Sequence, residues 1–451
     1  MGEVNCMDIT LTQGKSIKIE IDETMPFIEI RAMASSSQAH KIESSTATIR
    51  AENSIQPPLE IEKEYYHGKF KSSNHAITFG REFRDKVSLL RTALTIFTKP
   101  LKTILIVGDR KCGKTTACKY IANGLSANGD VYYLDTDCGQ PLDHMPGFLH
   151  LIKVRQDLVS NSTVWRGQLI PHESLMSKYV GDFSHEHFPT IWLSQIAELA
   201  KTVKEKHLHG TLIVNTGGAI RGSAMEGLQG LIKLFKPQVI FELVAKPDSI
   251  VKHLPGGRQY NHISSRSDCV SSKISVLTAR SLLTDRLRES FGPMKDIRNT
   301  SMLTYFEKNC LRYTLNIDNI SLTLLQNDQR ITSKLHTVPI EQTALLLLGS
   351  ICAAESIEGS EFPVLIEDCD PEKRLLTLRI QSDKLCELPE DFIRITKSVY
   401  SSLDLTLPSI TENWQEEIER VGILGKKIGW YGPVLGVGAK NLRRKVSSRK
   451  K

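Results

Sequence analysis

Residues 103–116 have the sequence TILIVGDRKCGKTT. The β-branched run at 103–107 is typical of a strand that is buried on both faces of a sheet. The next eight residues, from Gly108 to Thr115, fit the pattern G-x-x-x-x-G-K-[ST], and a helical pattern with apolar residues on one side follows them. This order predicts a phosphate-binding loop. The alternative is a glycine-rich turn in some other α/β protein.

Each residue type in this loop suits the binding of a nucleoside triphosphate. Glycines let the backbone wrap a phosphate closely, so that successive amides point at it. We expect the ammonium of Lys114 to reach the β- and γ-phosphates and the hydroxyl of Thr115 to bind Mg²⁺. The predicted nucleotide-binding residues are Gly108, Asp109, Arg110, Lys111, Cys112, Gly113, Lys114, Thr115 and Thr116.

Strands and helices alternate on both sides of the loop. Further buried strands are predicted at 131–135, 211–216 and 239–245, and helices at 81–97, 190–206 and 225–236. Such alternation predicts an α/β fold, in which helices cover both faces of a parallel sheet.

The flanking regions have a different pattern, of short strands. Around Gly14, the sequence ITLTQGKSIKIEI alternates apolar and polar residues, which predicts a hairpin. RYTLNI, FPVLIED and RLLTLRI indicate strands near the other end of the chain. We therefore predict a β-rich N-terminal domain (1–99), a central P-loop NTPase domain (100–305), a β-rich C-terminal domain (306–420) and a glycine-rich, basic tail (421–451).

The charge of the chain is concentrated in this tail. The net charge is +7, from 58 Lys or Arg and 51 Asp or Glu, and KNLRRKVSSRKK (440–451) alone holds seven of the basic residues. The tail is predicted to be a nuclear or nucleolar address or a phosphate-binding arm, and the alternative is a solvated end. No apolar run has the length of a membrane helix, so we expect no membrane association. Nine cysteines without Cys-x-x-Cys spacing indicate free thiols in a reducing compartment.

Two acids follow the second predicted strand, in the sequence Asp135-Thr136-Asp137-Cys138-Gly139-Gln140. The carboxyl end of a strand beside a P-loop is where a metal-holding acid belongs. One of these carboxylates is predicted to hold Mg²⁺ through water, and one to accept the proton of an attacking hydroxyl. The alternative is an acidic turn.

The type of P-loop protein is narrowed by two absent motifs. The sequence has neither the Asn-Lys-x-Asp motif of GTPases nor the Leu-Ser-Gly-Gly-Gln signature of transporter ATPases. The remaining candidate classes of P-loop protein are kinases and some assembly ATPases.

Four blocks carry a resemblance to a known family: VGDRKCGKTT (107–116), YLDTDCGQPLDHMPG (133–147), YVGDFSHEHFP (179–189) and LIVNTGGAIRG (212–222). In their order and spacing, together with DIRNTSMLTYF (296–306), the chain resembles the P-loop polynucleotide 5'-hydroxyl kinases. Within that family it is more similar to the nucleolar pre-rRNA branch than to the mRNA 3'-end and tRNA branch, through FPVLIEDCDPEKRLLTLR and the basic tail.

The resemblance implies an ATP- and Mg²⁺-dependent kinase that acts on RNA with a 5'-hydroxyl end. By position, Lys114 and Thr115 match the family's phosphate and Mg²⁺ residues, and Asp137 matches the acid of its D-x-G-Q block, which also contains Gln140. Arg298 matches an arginine of the lid that closes over the transferred phosphate. The implied catalytic residues are therefore Lys114, Asp137 and Arg298, and the implied metal residues are Thr115 and Asp137.

The sequence departs from the family at three positions on the side of the RNA substrate. Ala219 stands where a tryptophan clasp on the terminal base is common, His185 where proline is usual, and Leu142 where an acid is common. An active kinase is the first hypothesis. The alternatives are a catalytically weak, ATP-binding scaffold of an RNA-processing complex and a small-molecule kinase.

The segment VGILGKKIGWYGPVLGVGA (421–439) is apolar and rich in glycine, which disfavours a stable helix or strand. The resemblance implies a location in the nucleus and nucleolus and a partner endonuclease, whose cut in the second internal transcribed spacer of pre-rRNA leaves a 5'-hydroxyl. We expect 421–439 to dock on that partner. The alternative is that it packs on the C-terminal domain.

Overall fold

The computed structural model describes most of the chain between residues 80 and 398. The described residues are 3–6, 9–11, 30–33, 80–141, 144–154, 172–218, 223–244, 251, 260–268, 273–281, 302, 305–306, 310–334, 347–370, 372–390 and 392–398. The predicted tail (421–451) lies outside them. Among the described residues, no helix combines the length and the apolar character that a membrane span requires.

Near the N-terminus, three short strands form an antiparallel sheet. They are β1 (Glu3–Cys6), β2 (Ile9–Leu11) and β3 (Ile30–Met33), with β1 in the middle. This agrees with the prediction of β-structure here. Most of the predicted hairpin, including its turn at Gly14, lies outside the described residues.

The central domain is an eight-stranded sheet with helices. Its strands are β4 (Leu101–Gly108), β5 (Val131–Asp135), β6 (Phe148–Val154), β7 (His172–Tyr179), β8 (Gly210–Asn215), β9 (Val239–Val244), β10 (Asn261–His262) and β11 (Ser275–Arg280). Its helices are α1 (Arg81–Ile96), α2 (Lys114–Ser126), α3 (Pro189–Glu205) and α4 (Ser223–Phe235).

The strand order in this sheet is β10-β11-β9-β4-β8-β5-β6-β7. The six strands from β10 to β5 are parallel, which confirms the predicted α/β fold. The sequence reasoning missed four strands. β6 and β7 extend the sheet antiparallel to β5, whereas β10 and β11 extend its other edge in parallel. Because β4 pairs with both β8 and β9, the P-loop follows a strand in the middle of the sheet.

Helix α1 packs on this sheet, although the predicted boundary at residue 99 assigns it to the N-terminal domain. Its buried residues share one core cluster with the sheet. The Phe83 ring meets Phe241 of β9 edge-on at 5.8 Å and Tyr120 of α2 at 5.4 Å. We therefore propose that the P-loop domain begins at α1.

The C-terminal domain is a seven-stranded sheet with a core of its own. Its strands, in the order β12-β17-β16-β15-β18-β13-β14, are β12 (Cys310–Asn316), β13 (Ile320–Gln326), β14 (Gln329–Lys334), β15 (Ile351–Glu355), β16 (Glu361–Asp370), β17 (Leu375–Gln381) and β18 (Ile393–Ser398). Only β13 and β18 pair in parallel among these described strands. The three strands predicted from RYTLNI, FPVLIED and RLLTLRI are confirmed as β12, β16 and β17.

The two sheets are joined through a buried carboxylate. The Tyr179 amide donates to Glu361 Oε2 at 2.6 Å, and Gln195 Nε2 of α3 donates to the same oxygen at 3.3 Å. The Arg330 guanidinium lies 3.4 Å from Glu361 Oε1. This carboxylate thus has donors from both domains, as a buried charge requires.

The C-terminal domain also caps helix α3. No side chain at the start of this helix caps its first turn. Instead, Asp328 Oδ2 accepts from the Thr190 amide at 2.9 Å, and Asp328 Oδ1 from the Ile191 amide at 3.0 Å. Asp328 reaches this position from the β13–β14 turn, where it has a φ of 58° and Asn327 a φ of 49°. A carboxylate at this end also suits the helix dipole.

We predict that Asp328→Gly lowers the free energy of unfolding by about 1–2 kcal/mol, because two amides of α3 lose their acceptor. Asp328→Asn is the matched control, since asparagine also tolerates positive φ and keeps one acceptor oxygen. Urea unfolding followed by circular dichroism measures both variants. If both variants unfold at the wild-type midpoint, Asp328 does not stabilise α3.

Candidate active site

The phosphate loop connects β4 to α2. Gly113 immediately precedes α2 with a φ of 91°, in the left-handed region that favours glycine, and Lys111 has a φ of 57°. Gly113 has no side chain to fill the helix end, and no side chain caps it. The first amides of α2 therefore face a space that suits a phosphate.

Lys114 is buried and folds back over this loop. Its Nζ donates to the carbonyl oxygens of Gly108 at 2.9 Å and Asp109 at 2.8 Å. These two bonds fix the ammonium beside the loop amides. The positive charge is therefore in place for a polyphosphate before one binds.

Asp135 is a buried acid at the end of β5. It accepts three hydrogen bonds of 3.1 Å each, from the Tyr133 hydroxyl, the Asn215 side-chain amide and the backbone amide of Asp137. Burial raises the pKa of Tyr133, and the Asp135 charge raises it further, so the phenol stays protonated as a donor. Asp135 is thus held by the protein itself, which assigns it a structural role.

Asp137 lies two residues beyond the end of β5 and is only half-buried. Its Oδ1 accepts from the Gly139 amide at 3.0 Å, and this bond fixes the carboxylate in the turn. An acid in this position is able to receive a proton or a metal-bound water. Of the two predicted acids, Asp137 is therefore the one placed for chemistry.

The loop after β8 packs directly on the phosphate loop. A Cβ on Gly218 would lie 2.8 Å from Cα of Arg110 and 2.5 Å from its Cγ. Because backbone atoms cannot yield as a flexible side chain can, only glycine permits this approach. On the other side, the Thr136 hydroxyl donates to the Asn215 carbonyl at 2.6 Å. The ends of β4, β8 and β5 thus form one continuous surface.

His185 and Trp192 form the wall beside Asp137. Trp192 is buried, and its Nε1 donates to the Thr136 carbonyl at 3.2 Å. The His185 ring lies over it, with centroids 4.9 Å apart and an interplanar angle of 34°. Burial lowers the pKa of His185 below its usual value, Glu186 and Asp137 oppose this shift, and Arg110 adds to it. The imidazole is therefore neutral near pH 7.

Three cysteines near this site, Cys112, Cys118 and Cys138, are buried. Burial, followed by the charge of Asp135, raises the pKa of Cys118, and burial, followed by the charge of Asp137, raises that of Cys138. Protonated thiols are poor nucleophiles. These three cysteines are therefore small residues of the core.

The structure places Lys114, Thr115 and Asp137 at the same edge of the sheet. Gln140 is exposed at the end of the same turn. Arg298, Ala219 and Leu142 lie outside the described residues. The sequence reasoning did not identify Asn215 or Trp192 as part of the site, and it noted His185 only as a departure. The available signal was that NTGG follows a buried strand, because ligands bind at the carboxyl ends of parallel strands.

The residues present suit a magnesium–nucleotide complex. The described ranges contain no cluster of three or more His, Cys, Asp or Glu side chains that would hold a metal alone. Mg²⁺ usually takes one or two protein oxygens and completes its shell with phosphates and water. Thr115 at the start of α2 and Asp137 after β5 are the residues that would supply these protein oxygens.

The parallel sheet, the loop and Lys114 define a P-loop NTPase domain. Residues 108–308 match the family model described as mRNA cleavage and polyadenylation factor CLP1 P-loop. Slightly less than half of the chain is thus similar to the CLP1 P-loop domain, and the predicted resemblance is confirmed.

Three curated relatives illustrate the similarity. Polynucleotide 5'-hydroxyl-kinase GRC3 of Gibberella zeae is 31% identical over 189 residues, covering 38% of this chain and 25% of that protein. The GRC3 protein of Saccharomyces cerevisiae is 23% identical, and the match covers 60% of this chain and 40% of that protein. Polyribonucleotide 5'-hydroxyl-kinase PH0197 of Pyrococcus horikoshii is 25% identical, with 56% and 62% covered. The chain therefore spans a quarter to three fifths of these relatives.

Two solved structures share the fold. Both are complexes of Clp1p with Pcf11p, and each has a TM-score of 0.51. Their sequences are 16% and 15% identical to this chain. Each alignment covers 70% of this chain, and the alignments cover 79% and 78% of the two solved chains. The likeness therefore extends beyond the P-loop domain and concerns the fold.

We predict that Asp135→Ala lowers the free energy of unfolding by roughly 3 kcal/mol, because buried donors lose their acceptor at about 1–3 kcal/mol each. Asp137→Ala, the matched control two residues away, should cost less than about 1 kcal/mol, since it frees one amide in a partly exposed turn. Chemical unfolding of both variants checks this. Equal losses would contradict the separate roles of the two acids.

Proposed function

We propose that this chain is an ATP-dependent polynucleotide 5'-hydroxyl kinase that phosphorylates the 5'-hydroxyl ends of RNA. One observation carries the proposal: Asp137 lies on the same sheet edge as a complete phosphate loop, with the end of β8 between them. A donor phosphate on one side of β8 thus faces an acid on the other. The names of the relatives support the same reaction.

Three residues have distinct roles in this proposal. Lys114 binds the β- and γ-phosphates and stabilises the charge on the transferred group. Asp137 orients the attacking 5'-hydroxyl and receives its proton. Thr115 and Asp137 would hold Mg²⁺, which would neutralise charge on the phosphates. Catalysis by such a site is mainly positioning and electrostatic stabilisation.

Within this proposal, Arg298 acts from a lid. A guanidinium that closes over the γ-phosphate stabilises negative charge on its oxygens, as an arginine finger does. The support is the position of Arg298 in DIRNTSMLTYF, which matches the lid of the resembled family.

We further propose a role in the nucleolus, in processing the second internal transcribed spacer of pre-rRNA. The support is the similarity to relatives named GRC3 and NOL9 and the basic run at 440–451. A partner endonuclease that leaves 5'-hydroxyl ends would supply the substrate, and 421–439 is the proposed docking segment. The second candidate function, a weakly active ATP-binding scaffold, is favoured by Ala219 in place of the usual tryptophan.

Transfer of labelled γ-phosphate from ATP to a short 5'-hydroxyl RNA tests the kinase. We expect transfer by the wild-type chain and a loss of about 10²–10³ in rate with Lys114→Ala, because the charge on the phosphates is removed. Lys119→Ala, on the same helix, is the control and should stay active. A wild-type chain that binds ATP without transfer would support the scaffold instead. Normal activity of Lys114→Ala would exclude this loop as the catalytic site.

For Arg298→Ala, we expect slower transfer with nearly unchanged ATP affinity, because a lid charge acts only when the lid is closed. The measurement is single-turnover transfer together with a nucleotide titration. A full rate in this variant would remove Arg298 from the mechanism.

A further inference from the structure

A small space over Gly217 is bordered by two polar side chains. A Cβ built on Gly217 would lie 3.8 Å from Nδ1 of His185, 3.9 Å from its Cε1 and 4.0 Å from Oδ1 of Asp137. Apart from Gly217 and its two chain neighbours, these are the nearest atoms of the described residues, and all are at ordinary van der Waals distance. An imidazole nitrogen and a carboxylate oxygen thus border a methyl-sized position that no other described side chain fills.

The walls of this space are fixed from behind. Trp192 is held by its hydrogen bond to the Thr136 carbonyl, and the His185 ring lies against it with its Nδ1–Cε1 edge towards Gly217. Asp137 Oδ1 is held by the Gly139 amide. Each of the two polar atoms is therefore held by contacts that do not involve the other.

The chemistry of the space favours a neutral hydroxyl. A phosphate would be repelled by the Asp137 carboxylate, and the anion-binding amides are at the start of α2. A hydroxyl has one donor and two acceptor sites, so it can donate its proton to Asp137 and accept a hydrogen bond from His185 Nδ1 when the imidazole carries its proton on that nitrogen.

The geometry points to His185 as a positioning residue for the acceptor: its Nδ1 holds the terminal nucleoside 5'-hydroxyl in the space over Gly217, against Asp137. This inference rests on the proposed kinase function and assigns the acceptor end of that site. It also gives Gly217 a role, because any side chain there would occupy the place of the hydroxyl.

Three substitutions separate this role from a structural one. Gly217→Ala fills the space without a clash, since its methyl has no neighbour nearer than 3.8 Å. His185→Phe keeps a flat ring against Trp192 and removes both nitrogens. His185→Asn places an amide near the position of Nδ1. Gly129→Ala, where a Cβ has nothing within 4 Å, is the control for a glycine-to-alanine change.

The first measurement is direct binding of a fluorescent oligoribonucleotide with a 5'-hydroxyl to the full chain, with a non-hydrolysable ATP analogue present. We expect Gly217→Ala and His185→Phe to weaken binding by about 3- to 10-fold, the equivalent of one lost hydrogen bond. His185→Asn should bind the oligoribonucleotide more tightly than His185→Phe but less tightly than the wild type. The control Gly129→Ala should bind it with wild-type affinity. ATP affinity should stay constant in every variant. Wild-type affinity in both Gly217→Ala and His185→Phe would overturn the inference.

Transfer kinetics give the second measurement. For His185→Phe, we expect a higher KM for RNA and a lower kcat at an unchanged KM for ATP, with partial rescue by His185→Asn. A fall in ATP affinity together with RNA affinity would indicate a structural role and overturn the inference.

The proposed kinase function and the proposed role of His185 can fail separately. A wild-type chain that binds 5'-hydroxyl RNA without phosphorylating it defeats the kinase, while the binding data still decide the role of His185.

Discussion

The site depends on hydrogen bonds that join the ends of three strands through Asn215 and its neighbour. The Asn215 side chain donates to Asp135, its carbonyl accepts from the Thr136 hydroxyl, and the Thr216 hydroxyl donates to the Ile106 carbonyl at 2.8 Å. These bonds join β8 to β5 on one side and to β4 on the other. They add to the backbone pairing of these strands at the point where the phosphate loop and the turn that carries Asp137 begin. Since a displacement of about 1 Å can cost 10²-fold in rate, this link matters as much as the residues it positions.

The second constraint comes from outside the P-loop domain. Asp328 and Glu361 of the C-terminal sheet bind the start of α3 and the end of β7. Helix α3 carries Trp192, which contacts both the turn after β5 and the His185 ring. The side of the site that contains His185 and Trp192 is therefore supported by the C-terminal domain, whereas the described contacts of the phosphate loop are made within the P-loop domain. Through α3 and Trp192, the C-terminal sheet is thus physically connected to the candidate active site.

The strand, phosphate loop and helix that form one side of the site could be predicted from the sequence, because their signals are local. A buried strand, a glycine-rich loop and a helix are adjacent in the chain, so their composition predicts their geometry. The edge strands β6, β7, β10 and β11 were missed because their pairing is set by distant partners. His185 and Trp192 were missed as a pair for the same reason: Trp192 has the ordinary spacing of a core residue on α3, and its ring becomes part of the site only through the turn after β5.

The different environments of Asp135 and Asp137 could not be predicted from the periodicity of the strand. Two acids at a spacing of two share a face in a regular strand, which makes them equivalent by pattern alone. In the structure β5 ends at Asp135, and the chain turns before Asp137. The first acid consequently stays in the sheet and is saturated by Tyr133, Asn215 and a backbone amide, while the second leaves the sheet with an oxygen towards Gly217. The point at which the strand ends thus separates the structural acid from the acid proposed for catalysis, and it leaves an oxygen of the second acid near Gly217 and His185.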